Sequence, residues 1–445
     1  PAALPRPVSR ETGGRGRRGK RPAPADARNA RGCFTCNALP SACTGAVIDS
    51  RESRFANPIA PAFALVDKLV HSSSVKLPRF PRAGLVAILA LALLIAGCGS
   101  IAQPEGWASP RIEDDATALI FRDRGKLSAV QLDERGIARV LWVFPDDQVQ
   151  EQKGIDLRAV YRAPEFDGER YYLAGFSGDV VALTRQGNVV WIQDKLRGEV
   201  VTGAVAASDL ILVGTLEGLL YRLDPAAAGA IVGDPIEVPG EIWAPPVALG
   251  DNVYVATMEG KVFAFNLETG QRVWGPFTTA GAIPELAPLG DNRLFVAGLD
   301  RHVYVLDAAS GQPVFEPYRT EGWVWSTPVV AGGRAYFADF AGKVYQLDIT
   351  TGAVEQVYDA GSKVKASLAV VDGSVVLVTE DARVHFVDMQ NWGLKNVVPI
   401  HGAGRVRANP TVFDGVVYFL TTEGRLFRAD PERLTVVEAR LAGDD

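Results

Sequence analysis

Cysteine stops at residue 98 of this 445-residue chain. The four present are Cys33, Cys36, Cys43 and Cys98, so nothing beyond them can be stapled by a disulfide. Stability there has to come from packing. Histidine is as scarce, with only His71, His302, His385 and His401, scattered along the chain. No HExxH and no His/Asp/Ser arrangement appears, which removes the usual signs of metalloprotease or acyl-transfer chemistry. Cys33-Phe-Thr-Cys36 is a lone CxxC with no second pair and no βαβ context, and we read it as accidental. Methionine is absent before Met258. No stretch of useful length carries apolar residues at helical period, which excludes βαβ architectures.

Positive charge is also missing where most of the chain lies. Through Cys98 there are 15 Lys and Arg against 5 Asp and Glu, and after it 31 against 47, a net of −16. An acidic body of this kind lacks the footprint that phosphate backbones require, so no nucleic-acid partner is expected.

What the later chain does have is repetition. The stretch from Arg334 to Val357 reads as a strand, a tight turn, a strand ending in Leu-Asp, a turn at Thr-Gly, and another strand. The same pattern returns at Gly178–Thr184, Gly218–Asp224, Gly260–Asn266 and Gly424–Asp430. Its strand-end positions are Asp133, Thr184, Asp224, Asn266, Asp307, Asp348, Asp388 and Asp430, at intervals of 51, 40, 42, 41, 41, 40 and 42. The long first interval holds a polar insertion at about Asp146 to Leu157. A period of roughly 40–45 residues with four strands per unit is the signature of a β-propeller. The expected fold is all-β, an eight-bladed propeller of four-stranded antiparallel blades over 107–445, with seven blades as the next count. Closure of the ring is expected from either the Cys98–Arg111 segment or the tail after Asp430, crossing the seam between the end units.

Ahead of the repeats the composition changes. Residues 1–74 are rich in Pro, Arg and Ala without apolar periodicity, which reads as a disordered segment or as sequence upstream of the true start, with Val75 as a candidate start. Residues 75–97 read as a signal peptide: Lys76, Arg79 and Arg82 precede an apolar run from Ala83 to Ala96 that is short for a membrane span. It ends in Ile95-Ala96-Gly97-Cys98, which resembles a bacterial lipobox. That resemblance implies cleavage before Cys98, lipid on its thiol, and a short tether over 98–106. The chain is then a membrane partner through that lipid, extracytoplasmic, in the cell envelope.

The repeats resemble those of the pyrroloquinoline-quinone (PQQ) propeller family. The likeness rests on a Gly before a Val-Tyr-Ala-Leu-Asp-like strand, then Thr-Gly, then an outer-strand Trp. It is strong in the second, fourth and sixth units and degraded in the first, seventh and eighth. In the fifth, Asp300-Arg-His replaces the Gly turn. The resemblance implies that Trp142, Trp191 and Trp274 dock one blade on the next. Dehydrogenases with such repeats use a disulfide of adjacent cysteines, a calcium site, a catalytic Asp and long insertions between strands. The first is excluded here, no Asp group stands out as a calcium loop, and these repeats are nearly bare. No cofactor, metal or catalytic residue is therefore expected. A lipobox followed by such a propeller resembles the BamB-type lipoproteins of outer-membrane protein assembly. That implies a monomeric, non-catalytic scaffold with protein partners. The alternatives are a quinoprotein dehydrogenase and a small-anion binder.

Candidate binding residues come from a second repeated segment, seen at Gly240-Glu-Ile-Trp-Ala-Pro-Pro246 and Gly322-Trp-Val-Trp-Ser-Thr-Pro328. Counting three before the Pro or its equivalent gives Trp107, Tyr161, Val201, Trp243, Glu285, Trp325, Lys365 and Arg407. Two residues earlier lie Glu105, Ala159, Glu199, Glu241, Ile283, Trp323, Lys363 and Arg405. Period-two alternation turns both sets to one side. If they lie on the first strand of each blade, they form two rings at one mouth of the channel. The binding candidates among them are Trp107, Tyr161, Trp243, Trp323, Trp325, Lys363, Lys365, Arg405 and Arg407, since aromatic and Arg residues dominate binding hot spots. A solvated mouth, its cations paired with Glu199, Glu241 and Glu285, is the plainer reading.

Overall fold

The computed structural model describes residues 106–441 except 124, 134–136, 147–154 and 403. The expectations for 1–105, including Ile95, Ala96, Gly97 and the lipidation site Cys98, lie outside the described residues. Within the described residues the chain is strand and turn throughout, in eight sheets taken in chain order, an eight-bladed propeller. Among them no helix is long and apolar enough to cross a membrane.

Blade six shows the plan. Val329–Ala331, Arg334–Ala338, Lys343–Asp348 and Val354–Asp359 pair antiparallel in that order. The register sets Ala335 against Leu347 and Phe337 against Tyr345. Both middle strands are buried along most of their length, as continuous β-branched and aromatic runs demand. The recurring Asp is a turn former. Asp348 Oδ1 accepts from the N–H groups of Thr350 and Thr351, at 2.9 and 2.8 Å. Asp224, Asp388 and Asp430 repeat the arrangement, which is the local geometry that favours Asp in turns. The turn between the two middle strands needs a left-handed residue. Gly fills it at Gly178, Gly218, Gly260, Gly342 and Gly424, whereas Arg301 and Ala382 adopt φ of 64° and 58° there.

Each seam between neighbouring blades has its own apolar cluster. One example is Tyr172, Val180 and Trp191 of blade two against Ile211, Val213 and Tyr221 of blade three. Another joins Tyr336 and Val344 of blade six to Leu377 and Trp392 of blade seven. At three seams the outer-strand Trp makes the docking contact. Trp142 Nε1 donates to Arg185 O at 3.1 Å, Trp191 Nε1 to Pro225 O at 3.3 Å, and Trp274 Nε1 to Ala308 O at 2.8 Å. Each indole lies flat on a glycine of the next blade, Gly187, Gly229 and Gly311, where an added Cβ would meet ring carbon at 2.6 Å. Blade seven inverts the device. Trp392 takes the left-handed turn position, φ 57°, and stacks back on Tyr336 of blade six at 6.3 Å.

The tail after Asp430 crosses the seam. After pairing within blade eight, it adds Arg440–Leu441 beside Ile137–Phe144 of blade one as a fifth, parallel strand. The other expected segment also touches the seam, because Thr411 Oγ1 of blade eight donates to Pro110 O at 2.5 Å.

Candidate functional site: the mouth of the channel

Before the first strand of most blades runs a short extended segment in which every second residue is buried. Val200, Ile242, Val324, Val364 and Val406 are each 2 % exposed or less. Ile242, Val324 and Val406 bridge to Thr257, Asp339 and Thr421 at the end of the second strand. The residues on either side therefore turn together toward the channel. One correction concerns place: apart from Glu285, which begins Glu285–Gly290, the candidate residues precede the first strand rather than lying on it. A second concerns register. The N–H of Ile283 donates to Thr257 O just as that of Ile242 donates to Thr215 O, so Ile283 takes the core place and is fully buried. In blade five the mouth position belongs to Ala282.

The inner set closes the channel. Trp107, Tyr161, Val201, Trp243, Glu285, Trp325, Lys365 and Arg407, one from each blade, line a single space with Ser109, Arg162 and Asn409, and only about 30 Å³ remains free within it. That is room for a water or two. Trp107 meets Tyr161 edge-on at 4.6 Å, and the Arg407 guanidinium lies 5.6 Å over the Trp107 ring. Trp243 meets Trp325 edge-on at 6.0 Å. Arg162 of blade two reaches across to Glu285 of blade five, with Nη2 to Oε2 at 3.0 Å and Glu285 only 3 % exposed.

Most of the outer set stands in solvent, although Ala159 is fully buried. Trp323 is 52 % exposed, the Lys363 side chain 60 %, and Glu199, Glu241 and Arg405 are exposed as well. The carbonyl oxygens of Glu199, Glu241, Trp323, Lys363 and Arg405 each accept an N–H from the turn between the second and third strands, at Leu216, Met258, Phe340, Glu380 and Thr422. This brings a third residue per blade to the mouth, one that the sequence reading missed although it recurs at a fixed place after the second strand. Phe340 stacks on Trp325 at 6.1 Å, stands 6.3 Å from Trp323, and lies under Lys365 Nζ at 5.7 Å. Its turn is held by the buried Asp339, whose Oδ1 accepts from the N–H groups of Ala341 and Lys343 and whose Oδ2 accepts from Gly322 N–H and Tyr345 O–H. Glu380 receives Lys365 at 2.9 Å and Lys363 at 3.7 Å. The hydrogen bond from Lys365, aided by Lys363 and Arg405, holds the Glu380 carboxyl below the usual carboxylate range. Glu380 thus takes the ion pairs of Lys363 and Lys365, while Glu285 is held by Arg162.

The mouth therefore has an aromatic side on blade six, a basic side on blades seven and eight, and exposed acids on blades three and four. Among the described residues no three His, Cys, Asp or Glu side chains gather as a metal site. A quinone held on the axis, as in the dehydrogenases with this repeat, does not fit the space the inner ring leaves, since ligand sites run to roughly 300–1,000 Å³.

The model of a family described as outer membrane protein assembly factor BamB matches residues 176–284 and 276–437. Curated relatives include the outer membrane protein assembly factor BamB of Nitrosomonas eutropha, 26 % identical over 190 residues, which are 42 % of this chain and 43 % of that protein. The protein of the same name from Burkholderia pseudomallei is 31 % identical over 113 residues, 25 % of this chain and 29 % of that one. The matches thus span less than half the length of either relative. Among solved structures, BamB from Moraxella catarrhalis superposes with a TM-score of 0.57 at 16 % identity, covering 73 % of this chain and 98 % of that one. The computationally designed Ika8 protein gives 0.56 at 16 % identity with the same coverage. At that identity the superpositions speak for the fold alone.

Proposed function

This chain belongs to the outer membrane protein assembly factor BamB family, and from that premise we propose that it is a lipid-anchored, extracytoplasmic scaffold of the cell envelope. It holds protein partners at the mouth of the propeller during outer-membrane protein assembly and catalyses no reaction. The observation that carries this reading is the form of the mouth. The channel behind it is closed by its own side chains, while Trp323 stands half in solvent beside Phe340, which stacks on Trp325 and lies under Lys365 Nζ. A shallow aromatic patch with a charged rim is what protein contacts favour. Closure leaves little space for a small substrate.

The anchor follows from Ile95-Ala96-Gly97-Cys98. Two or three acyl chains on Cys98 give stable attachment where one would not. The tether to Trp107 then keeps the propeller near the bilayer.

A photo-crosslinking amino acid placed at Trp323 tests the reading in intact membranes, with the same group at Leu394 on the outer strand of blade seven as control. The expected result is one dominant crosslinked protein from position 323 and none from 394. Equal or absent crosslinking from both positions would remove the mouth as the partner surface.

A further inference from the structure

Around the mouth the fold fixes the backbone and leaves the side chain free. Glu199, Glu241, Trp323, Lys363 and Arg405 make the same carbonyl-to-amide bond in their blades, so that bond asks for no particular residue type. The types are nevertheless sorted around the ring. On blades three and four, Glu199, Glu217, Glu241 and Glu259 are exposed. Of these, only Glu217 makes an ion pair among the described residues, a loose one to Arg197 at 3.9 Å. Glu259 also gives an oxygen to the N–H of Glu241 at 3.0 Å. On blades seven and eight, Lys363, Lys365, Arg405 and Arg407 outnumber Glu380 and Glu423, because Asp381 is held by Arg383 at 3.2 Å. In a ring of eight, blade three stands opposite seven and blade four opposite eight. The two charged sectors therefore face each other across the mouth.

Sorting of this kind is unfavourable in the free chain. Like charges crowd on each side, and mixing the signs around the ring would relieve them at no loss to the backbone. A partner of the opposite polarity relieves them instead, and the same field steers its approach. Between the sectors the surface is apolar. Leu216, Met258 and Leu299 are half-buried at the place that Phe340 holds in blade six. Trp243 meets Trp325, and Phe340 lies between Trp325 and the exposed Trp323. This band runs from the acidic sector to the edge of the basic one.

We propose that the mouth takes one continuous segment of a partner protein that is basic at one end, apolar in the middle and acidic at the other. Its Lys or Arg residues lie over Glu199 and Glu241, a bulky apolar side chain packs on Trp323 and Phe340, and its Asp or Glu residues lie over Lys363 and Arg405. The order of charge sets which end of the segment lies on which blades. This inference rests on the mouth being the partner surface, as proposed above.

The test is photo-crosslinking of the full-length protein in intact membranes, with the reactive group at Glu241, Trp323 or Arg405 in turn and the captured peptides sequenced by mass spectrometry. The expected result is a single segment of one protein, captured beside Lys or Arg from position 241 and beside Asp or Glu from position 405. Glu199→Lys with Glu217→Lys, and separately Lys363→Glu with Arg405→Glu, should each lower capture from position 323 about fivefold or more. Asp209→Lys with Asp251→Lys makes the same charge change on blades three and four, in the exposed turns at the far end of the first strands, and should leave capture at the parental level. No capture from position 323 in the parent would remove the mouth as the partner surface and this inference with it. Capture from 323 that survives either mouth reversal, or captured peptides without that order of charge, would overturn the inference while leaving the mouth a partner surface.

Discussion

Replacing Trp191 with alanine probes what holds the ring together. Trp191 is 6 % exposed, lies on Gly229 of blade three and stands 5.7 Å from Tyr172. A buried indole removes roughly 150–250 Å² from water. Losing most of its apolar part at about 25 cal/mol per Å² costs about 4 kcal/mol, in line with the 3–5 kcal/mol typical of Trp→Ala in cores. The lost hydrogen bond adds little. It is long, 3.3 Å, and Pro225 O also accepts from Arg170 Nη1 at 3.1 Å, so the carbonyl keeps a partner. Denaturant unfolding should therefore show Trp191→Ala destabilised by about 4 kcal/mol. Because repeat arrays lose stability at the interface that is damaged, amide exchange should speed up in blades two and three before the rest. A loss below about 1 kcal/mol, or exchange spread evenly over eight blades, would refute the view that seam packing carries the stability.

Other expectations are as direct. Deleting residues 439–445 removes the parallel strand on blade one and the bond from Ala439 N–H to Leu426 O. At about 1 kcal/mol per net hydrogen bond this costs about 2–3 kcal/mol, and exchange in Ile137–Phe144 should rise while that of blade four does not. Glu285→Gln leaves Arg162 without its carboxylate; because the Arg162 side chain is 24 % exposed, the loss should be about 1–3 kcal/mol by melting, below the value for a fully buried pair. His385 is 5 % exposed, with Nδ1 3.0 Å from Tyr358 Oη and no partner for Nε2. Burial pushes its imidazole below the ordinary 6.5, opposed by Asp381 and aided by Arg383. The folded chain then binds fewer protons than the unfolded one, so this contribution is complete above 6.5 and is lost as pH falls below it. His385→Phe should flatten the melting temperature between pH 7 and 5 relative to the parent.

The architecture was readable from sequence because its markers act locally. Asp224, Asp348 and Asp388 recur because each closes its own turn, so their spacing reported the blade period without any tertiary knowledge. The inner ring was readable for a similar reason: alternation fixes which side of an extended segment faces the channel, whatever the strand boundaries. Ile283 escaped because blade five carries one extra residue before Glu285, and a one-residue slip exchanges core for mouth. Phe340 and Glu380 escaped because their approach depends on a hydrogen bond between two segments of a blade. The Arg162–Glu285 pair spans blades two and five, a relation that no repeat alignment contains. Arg222, whose guanidinium donates to Leu267 O as the docking indoles do to carbonyls of the next blade, and Trp392 stand out only once the docking positions of neighbouring seams are seen side by side, since each replaces a contact made elsewhere by a different residue type.

The central claim is that the mouth holds a protein partner needed for outer-membrane assembly. The most direct measurement is the level of folded outer-membrane porin in a Gram-negative host that lacks its own assembly factor and carries either the parent chain or Trp323→Ala with Arg405→Glu. Both positions are exposed, so the variant should accumulate to the parental level and melt as the parent does. The account predicts that the parent restores porin and the double variant restores less than a third of it. Full restoration by the variant at equal abundance would contradict the account.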